Sequence, residues 1–212
     1  MYFADRYDAA MQLAVKLEEY KKDEGVILAV PRGGVPLGYY LAKHLDFTLD
    51  LLMTKKIGHP LNQEYAIGAV GLEDSIIEAA DEDIPEEYIE QETSRIRRQL
   101  AERYKIFMGD KKPVKIEGKT VIVVDDGIAT GRTILATLKM LRNKRPKKLI
   151  VAVPVASREA ARRIAREVDN FICLYMPSPF YGVGRFYRDF SQTEDKEVML
   201  LLRELNARGH AA

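Results

Sequence analysis

Cysteine is almost absent from this chain, and its scarcity excludes two kinds of structure. The 212 residues include one cysteine, Cys173, so the chain can form neither an internal disulfide nor a cysteine metal site. Cys173 lies within an apolar run, a setting typical of a buried and unreactive thiol. These features favour a protein of a reducing compartment.

The chain also lacks an excess of either charge and any long apolar run. Lysine and arginine number 33 and aspartate and glutamate 32, mixed along the chain, which predicts no nucleic-acid partner. No apolar run approaches the ~20 residues of a membrane span, and the opening MYFADRYDAAMQ has no apolar core of signal-peptide type. We therefore expect a soluble, cytoplasmic protein without a membrane partner. Hydrophobic residues, at 47%, suffice for the core of one domain over residues 1–212.

The most informative stretch of the sequence is VIVVDDGIATGRT, at residues 121–133. Residues 121–124 form a β-branched apolar run, which is typical of a buried strand in a parallel sheet. Asp125 and Asp126 follow where this strand leaves the core, and a loop rich in glycine and threonine comes next. The stretch predicts a strand, an acidic edge and the start of a helix in immediate succession.

The loop after the two aspartates has the composition of an anion site. Gly127 and Gly131 let the backbone approach a ligand, and the hydroxyls of Thr130 and Thr133 can donate hydrogen bonds. The free N–H groups of the following helix would point at the same ligand, and a phosphate fits this arrangement. The aspartates need instead a metal ion or the hydroxyl groups of a sugar. A sugar phosphate satisfies both halves, and an ordinary strand-loop-helix corner with a capping threonine is the alternative.

A second loop of similar character follows an earlier apolar run. Residues 26–30 predict another buried strand, which leads through a proline into Arg32, Gly33 and Gly34. The two glycines can turn backbone N–H groups toward an anion, and Arg32 offers bidentate geometry for phosphate oxygens. Alone, an Arg-Gly-Gly loop is more often a turn. Beside residues 121–133 it predicts a second phosphate contact.

The 121–133 stretch resembles the phosphoribosyl-pyrophosphate (PRPP) binding motif of type I phosphoribosyltransferases: four apolar residues, two acids, three variable residues and Thr-Gly-x-Thr. Every fixed position matches, whereas the Walker pattern GxxxxGK[ST] occurs nowhere in the chain. The resemblance implies that Asp125 and Asp126 hold the ribose hydroxyls and Mg²⁺, and that the loop at Arg32, Gly33 and Gly34 receives the pyrophosphate. It assigns the rest of PRPP, above all its 5′-phosphate, to the loop after the aspartates: Gly127, Ile128, Ala129, Thr130, Gly131, Arg132 and Thr133.

Lys55 and Lys56 end another predicted strand, at residues 49–54. Two lysines at the end of a strand are typical of a solvent-exposed edge, and they suit equally well the neutralisation of a leaving pyrophosphate. With Arg32 they are the candidate catalytic residues. Residues 57–65, IGHPLNQEY, predict a loop within a flexible lid over about residues 55–84. The resembled family carries a mobile loop near this place, which would keep water from a ribosyl cation-like transition state. A plain hairpin is the alternative, and His59 within it is more typical of a surface residue than of a base.

Aromatic residues are concentrated late in the chain. Five of the 11 tyrosines and 7 phenylalanines fall within residues 180–190. This cluster predicts a small hood over about residues 177–193, where the resembled family receives its base, although rings that merely pack on the core would give the same pattern. Ala129 stands where 6-oxopurine enzymes of the family carry an acid, which predicts that hypoxanthine and guanine are poor substrates. The candidate acceptor-binding residues are Phe180, Tyr181, Phe186, Tyr187 and Asp189.

Strands alternate with helices along the chain, which predicts an α/β fold with a doubly wound, parallel, five-stranded sheet. The resemblance implies strand order 2-1-3-4-5, in which the two phosphate loops lie side by side at the switch point. It also implies a Mg²⁺-dependent enzyme, with a homodimer as one assembly it could form. The enzyme would transfer the 5-phosphoribosyl group of PRPP to a small nitrogen acceptor, an aromatic base, and release pyrophosphate. A non-catalytic PRPP-binding regulator is the alternative, and a phosphatase-like use of the acid pair would leave Arg32 unexplained.

Overall fold

The computed structural model describes residues 3–77 and 84–208. Its strands are β1 Gly25–Ala29, β2 Thr48–Leu51, β3 Lys55–His59, β4 Asn62–Val70, β5 Ser75–Ile77, β6 Thr120–Val124, β7 Lys148–Val155 and β8 Asn170–Tyr175. Its α-helices are α1 Arg6–Leu17, α2 Gly34–Leu45, α3 Glu86–Met108, α4 Arg132–Asn143, α5 Arg158–Ile164 and α6 Asp195–Arg208. Among these described helices, none has the length and apolarity needed to cross a membrane.

The main sheet contains five parallel strands in the order β2-β1-β6-β7-β8. Ala29, the last residue of β1, pairs with Val124, the last residue of β6, so the two strands end at the same level. Both strands are buried over their whole length, as apolar runs covered on two faces should be. The predicted α/β fold and the strand order 2-1-3-4-5 are therefore confirmed.

Helices cover both faces of this sheet. Successive side chains of a strand point to opposite faces, so neighbouring residues of β6 enter different layers. Ile122 belongs to a core that includes Leu41 of α2, while Val121 belongs to a second core with Leu138 of α4. α1, α3 and α6 add residues to the first core, and α5 adds residues to the second.

A separate antiparallel sheet, in the order β3-β4-β5, occupies the predicted lid region. Of the two interpretations of residues 57–65, the loop was wrong and the alternative, a plain hairpin, is confirmed: β3 and β4 run through this stretch, and only Pro60 and Leu61 form the turn. Polar residues are tolerated here because one face of an antiparallel ribbon can stay in water. The hydroxyl of Tyr88 on α3 donates to the carbonyl of Gly58 at 2.8 Å and ties the ribbon to the helix. The predicted lid also includes residues 78–83, which lie outside the described residues.

Asp50, on the edge strand β2, is a buried carboxylate that organises its surroundings. This residue is 2% exposed, and its carboxylate accepts hydrogen bonds from Leu51 N at 2.7 Å, Tyr104 Oη at 2.9 Å and Val114 N at 2.7 Å. Burial raises the pKa of Asp50, and the three donors oppose that shift. The carboxylate thus joins β2, α3 and the segment before β6.

We predict that Asp50→Asn destabilises the fold, since an amide presents one acceptor oxygen and turns its NH₂ group toward a donor. Leaving one buried donor unsatisfied costs about 1–3 kcal/mol, and each kcal/mol lowers Tm by roughly 2–4 °C for a domain of this size. Tyr104→Phe, which removes a single donor, should cost about 1 kcal/mol. Calorimetry of both variants checks the prediction, and an Asn variant as stable as the parent would contradict it.

Candidate functional site

The two predicted phosphate loops lie side by side where β1 and β6 end. Val30 N donates to Val124 O at 2.9 Å, which carries the strand pairing one residue into the loops. Gly33 then passes so close to the acid pair that a Cβ at this position would lie 2.0 Å from Asp126 Oδ2. Only glycine permits this approach without displacing the carboxylate.

We call residues 127–133, the loop between β6 and α4, the phosphate loop. One side of this loop is held by backbone hydrogen bonds, and the other side is exposed. Ile128 is buried, its N–H donates to Val155 O at 2.9 Å, and its carbonyl accepts from Ser157 N at 3.0 Å. Gly131 has φ +67° and occupies the N-cap of α4, where no side chain caps the helix. The first N–H groups of α4 are therefore left to meet a ligand. The residues exposed on this loop are Ala129, Thr130, Arg132 and Thr133.

A cavity of ≈ 460 Å³ opens in front of the phosphate loop. We call it the loop cavity. Arg32, Asp125 and residues 127–133 line it, as does Thr54, the residue before β3. Arg103 of α3 also lines it, so the cavity brings three arginines (Arg32, Arg103 and Arg132), one carboxylate and a helix N-terminus together.

Asp125 and Asp126 carry adjacent carboxylates in a poorly solvated place. Burial raises the pKa of Asp125 well above 3.8, and the charge of Asp126 raises it further. Burial also raises the pKa of Asp126, although the Arg6 guanidinium opposes that shift. Asp126 N donates to Asp125 Oδ1 at 2.8 Å, which leaves the Asp125 carboxylate with lone pairs for further donors.

Arg6 of α1, which was not among the predicted site residues, holds Asp126. Its Nε and Nη2 atoms lie 3.0 and 2.8 Å from Asp126 Oδ2, and both side chains are less than 15% exposed. The guanidinium also lies over the Phe190 ring, 4.2 Å from its centroid, and donates to Ser191 O at 2.8 Å. Arg6 and Asp126 are 120 positions apart, and no local pattern in the sequence marks the pair.

Arg32 and Arg103 share one counter-ion, Asp195, at the start of α6. Asp195 Oδ1 lies 2.7 Å from Arg103 Nη2 and 3.5 Å from Arg32 Nη1, and Glu194 lies 3.9 Å from Arg32. Arg103 was missed because it is one basic residue among many on α3, whose mixed charges are typical of a solvent-facing helix. Asp195 likewise lies outside every motif of the sequence.

Neither predicted catalytic lysine lines the loop cavity. β2 ends at Leu51, so Lys55 and Lys56 begin the antiparallel strand β3 instead of ending a strand of the main sheet. Lys55 Nζ donates to Gln99 Oε1 at 3.2 Å, and Lys56 lines a different cavity. Their role at the leaving group stays a prediction.

The predicted acceptor residues form an aromatic hood that does not line the loop cavity. Phe180 and Phe186 stack with centroids 5.7 Å apart, Tyr181 is 78% exposed, and Asp189 is exposed and accepts from Ser191 N. Tyr187 is buried, with its ring 5.3 Å from Phe3 and its hydroxyl donating to Asp126 O at 2.7 Å. The hood therefore contacts the acid pair without lining the loop cavity, and Tyr187 packs as a core residue.

The Cys173 thiol is half-buried, and burial raises its pKa to about 11, which keeps it protonated at neutral pH as an unreactive thiol would be.

Among the described residues, no group of three or more His, Cys, Asp or Glu side chains could hold a metal ion by itself. A pair of carboxylates instead suits Mg²⁺, which keeps waters and binds together with substrate phosphates.

Comparison with known proteins identifies the relatives of this chain. The model of the phosphoribosyl transferase domain matches residues 3–184. A Mycobacterium tuberculosis protein, present in strains H37Rv and CDC 1551 under the provisional name phosphoribosyl transferase, is 36% identical over 205 residues. The match covers 94% of this chain and 46% of the relative, so the chain spans about half the length of these curated relatives.

Solved structures agree with this result. The protein TT1426 from Thermus thermophilus has a TM-score of 0.85 at 35% identity, and the match covers 96% of this chain and 99% of that one. A hypoxanthine-guanine phosphoribosyltransferase from Bacillus anthracis has a TM-score of 0.52 at 19% identity, with 89% and 93% covered. At that identity the second likeness shows the fold alone.

We predict that Arg6→Met destabilises the protein by about 3–5 kcal/mol, because it leaves the largely buried Asp126 carboxylate without its cation. Adding Asp126→Asn should recover part of this loss, since the double variant buries no unpaired charge. Arg98→Met, at an exposed position of α3, is the matched control and should change stability by about 0.5 kcal/mol or less. Urea denaturation measures all three, and equal stability of the Arg6 and Arg98 variants would contradict the prediction.

Proposed function

The chain belongs to the phosphoribosyl transferase domain family, and from this membership we propose that it transfers the 5-phosphoribosyl group of PRPP to a nitrogen acceptor. The observation that carries the proposal is the loop cavity. The uncapped N-terminus of α4, the Asp125 carboxylate, and Arg32 with Arg103 match the phosphate, ribose and pyrophosphate parts of one substrate. The acceptor is an aromatic, base-like nitrogen compound.

The phosphate loop would bind the 5′-phosphate of PRPP. Exposed Thr130 and Thr133 hydroxyls can donate to it, together with the first N–H groups of α4. Asp125 would accept from the ribose hydroxyls, because its carboxylate lines the cavity and has spare acceptor capacity. Asp126 was predicted to do the same, and its bond to Arg6 supports a role in fixing Asp125 and any bound cation.

Arg32 and Arg103 would bind the leaving pyrophosphate. In the reaction the C1–O bond to pyrophosphate breaks, a C1–N bond forms, and the nitrogen gives its proton to solvent. Negative charge grows on the leaving oxygen, so cations placed in advance stabilise the transition state. Asp195 pairs with both arginines without substrate, and the more highly charged pyrophosphate would replace it.

Mg²⁺ is the cofactor we propose, held by Asp125 and Asp126 together with PRPP oxygens. When bound, it would neutralise charge on the pyrophosphate. The raised pKa of both carboxylates supports this assignment, because a nearby cation relieves the cost of keeping two buried neighbours ionised.

The acceptor would enter between the loop cavity and the hood. Phe186 is half-buried and Tyr181 exposed, so their rings are the better candidates for contact with a flat base, while Tyr187 is occupied by packing. Ala129 offers no carboxylate to a purine ring, which supports the expectation that hypoxanthine and guanine are poor substrates.

A regulator that binds PRPP without turnover is the second candidate. It is favoured by one observation, that Lys55 and Lys56 do not line the loop cavity. Both candidates share the PRPP site, so binding and turnover have to be measured separately.

We predict that PRPP with Mg²⁺ raises Tm by roughly 5–10 °C at a hundred times Kd, since such a ligand adds ~2.7 kcal/mol. Asp125→Asn should weaken PRPP binding by about 1.5–3 kcal/mol for each charged hydrogen bond lost. Phosphorus NMR against a panel of bases then follows PRPP loss. Turnover with one base establishes the enzyme, a thermal shift without turnover establishes the regulator, and no shift with millimolar PRPP contradicts both.

We further predict that Arg103→Gln lowers kcat/KM by about tenfold or more, the effect of losing one charged hydrogen bond to the leaving group. Asp195→Asn should tighten pyrophosphate binding, because it removes the counter-ion that competes for Arg32 and Arg103. Lys55→Gln is the comparison, since Lys55 does not line the cavity. A greater loss in the Lys55 variant than in the Arg103 variant would transfer the leaving-group role to the lid.

A further inference from the structure

A second cavity, of ≈ 700 Å³, borders the phosphate loop from the side of α5. We call it the basic groove. It is bounded by β4, α4 and the C-terminal end of α5, and Thr130, Arg132 and Thr133 line both it and the loop cavity. The proposed PRPP site makes no use of the rest of the groove.

Positive charge is concentrated in the basic groove. Its described lining includes five cationic side chains and one carboxylate, Glu167, although the whole chain has a net charge of +1. The cations are Lys56, Arg132, Lys139, Arg163 and Arg166. Arg163 also pairs with Glu159, which lies on its own helix, and Lys56 and Lys139 likewise have partners within the protein. A cleft lined mainly by one sign of charge concentrates ligands of the opposite sign, so the groove favours an anion of multiple charge.

The groove also offers an aromatic ring and open space. Tyr65 on β4 lines it and is 50% exposed, so one part of the ring is accessible to a ligand. Three alanines, Ala66 and Ala69 on β4 and Ala136 on α4, contribute little bulk to the lining and keep the cleft open. Its volume lies within the range of small-molecule sites, about 300–1,000 Å³.

We propose that the basic groove binds a nucleotide, with its phosphates on Arg132, Lys139 and Arg166 and its base against Tyr65. A free phosphate would satisfy the cations but not the ring, and a nucleoside would satisfy the ring but not the cations. A nucleoside di- or triphosphate satisfies both. The site adjoins the PRPP site and shares Arg132 with it, but Arg32, Arg103 and Asp125 do not line it.

ADP binding, measured by calorimetry at low salt without PRPP, tests this proposal. We expect the parent to bind ADP more tightly than adenosine or inorganic pyrophosphate. Arg166→Gln should weaken ADP binding about tenfold or more, as expected for one lost phosphate contact. Arg162→Gln is the matched control, since Arg162 is an exposed arginine of α5 that does not line the groove. Tyr65→Ala should weaken ADP by about tenfold and leave pyrophosphate unchanged.

Two results would overturn the proposal. One is the absence of ADP binding by the parent. The other is ADP binding that is lost in Arg32→Gln but unchanged in Arg166→Gln, because ADP would then occupy the loop cavity. Neither result depends on turnover of PRPP, so failure here leaves the proposed phosphoribosyl transfer standing, and failure of that activity leaves this site standing.

Discussion

Two consecutive carboxylates at the end of a buried strand are the constraint on which the rest of the site depends. Asp125 and Asp126 cannot both be ionised in this place without compensation, because burial raises the pKa of both and the charge of Asp126 raises the pKa of Asp125 further. Compensation comes from the Arg6 guanidinium on one side and from the backbone N–H of Asp126 on the other. The loop at Gly33 can then lie against the two carboxylates only because Gly33 has no Cβ.

The start of α1 and the hood both contact this acid pair. Arg6 reaches Asp126 from the start of α1, rests on Phe190 and donates to the carbonyl of Ser191. Tyr187 adds a hydrogen bond to the carbonyl of Asp126, and Phe3 packs against its ring. The aromatic enrichment at residues 180–190 therefore serves at least partly to build a support behind the acid pair. The predicted binding of the acceptor base by the hood therefore applies best to the rings that this support leaves accessible.

Short-range pattern was sufficient for the central strands and for the phosphate loop, whereas the strand order came from the family resemblance. The apolar β-branched run at residues 121–124 and the glycines and threonines after it each specify their own local structure, so strand, loop and helix could be predicted. Arg6 and Arg103 could not, because their importance comes from partners far along the chain. Residues 57–65 were misjudged for a related reason: a half-solvated ribbon held by Tyr88 of α3 needs no apolar run. The scattered cations of the basic groove likewise meet only after folding.

The two ion-pair systems of the site differ in solvent exposure, and this difference separates their roles. The Arg6 and Asp126 side chains are 13% and 14% exposed, so breaking the pair would strand a buried charge, and the pair should persist through any binding event. Arg103 and Asp195 are 41% and 35% exposed, and pairs so close to water contribute little net free energy. Replacing Asp195 with a polyphosphate therefore costs little, while it gains the stronger charge of the ligand. A site for a highly charged substrate needs both kinds of pair, one that holds the acids in place and one that can be exchanged.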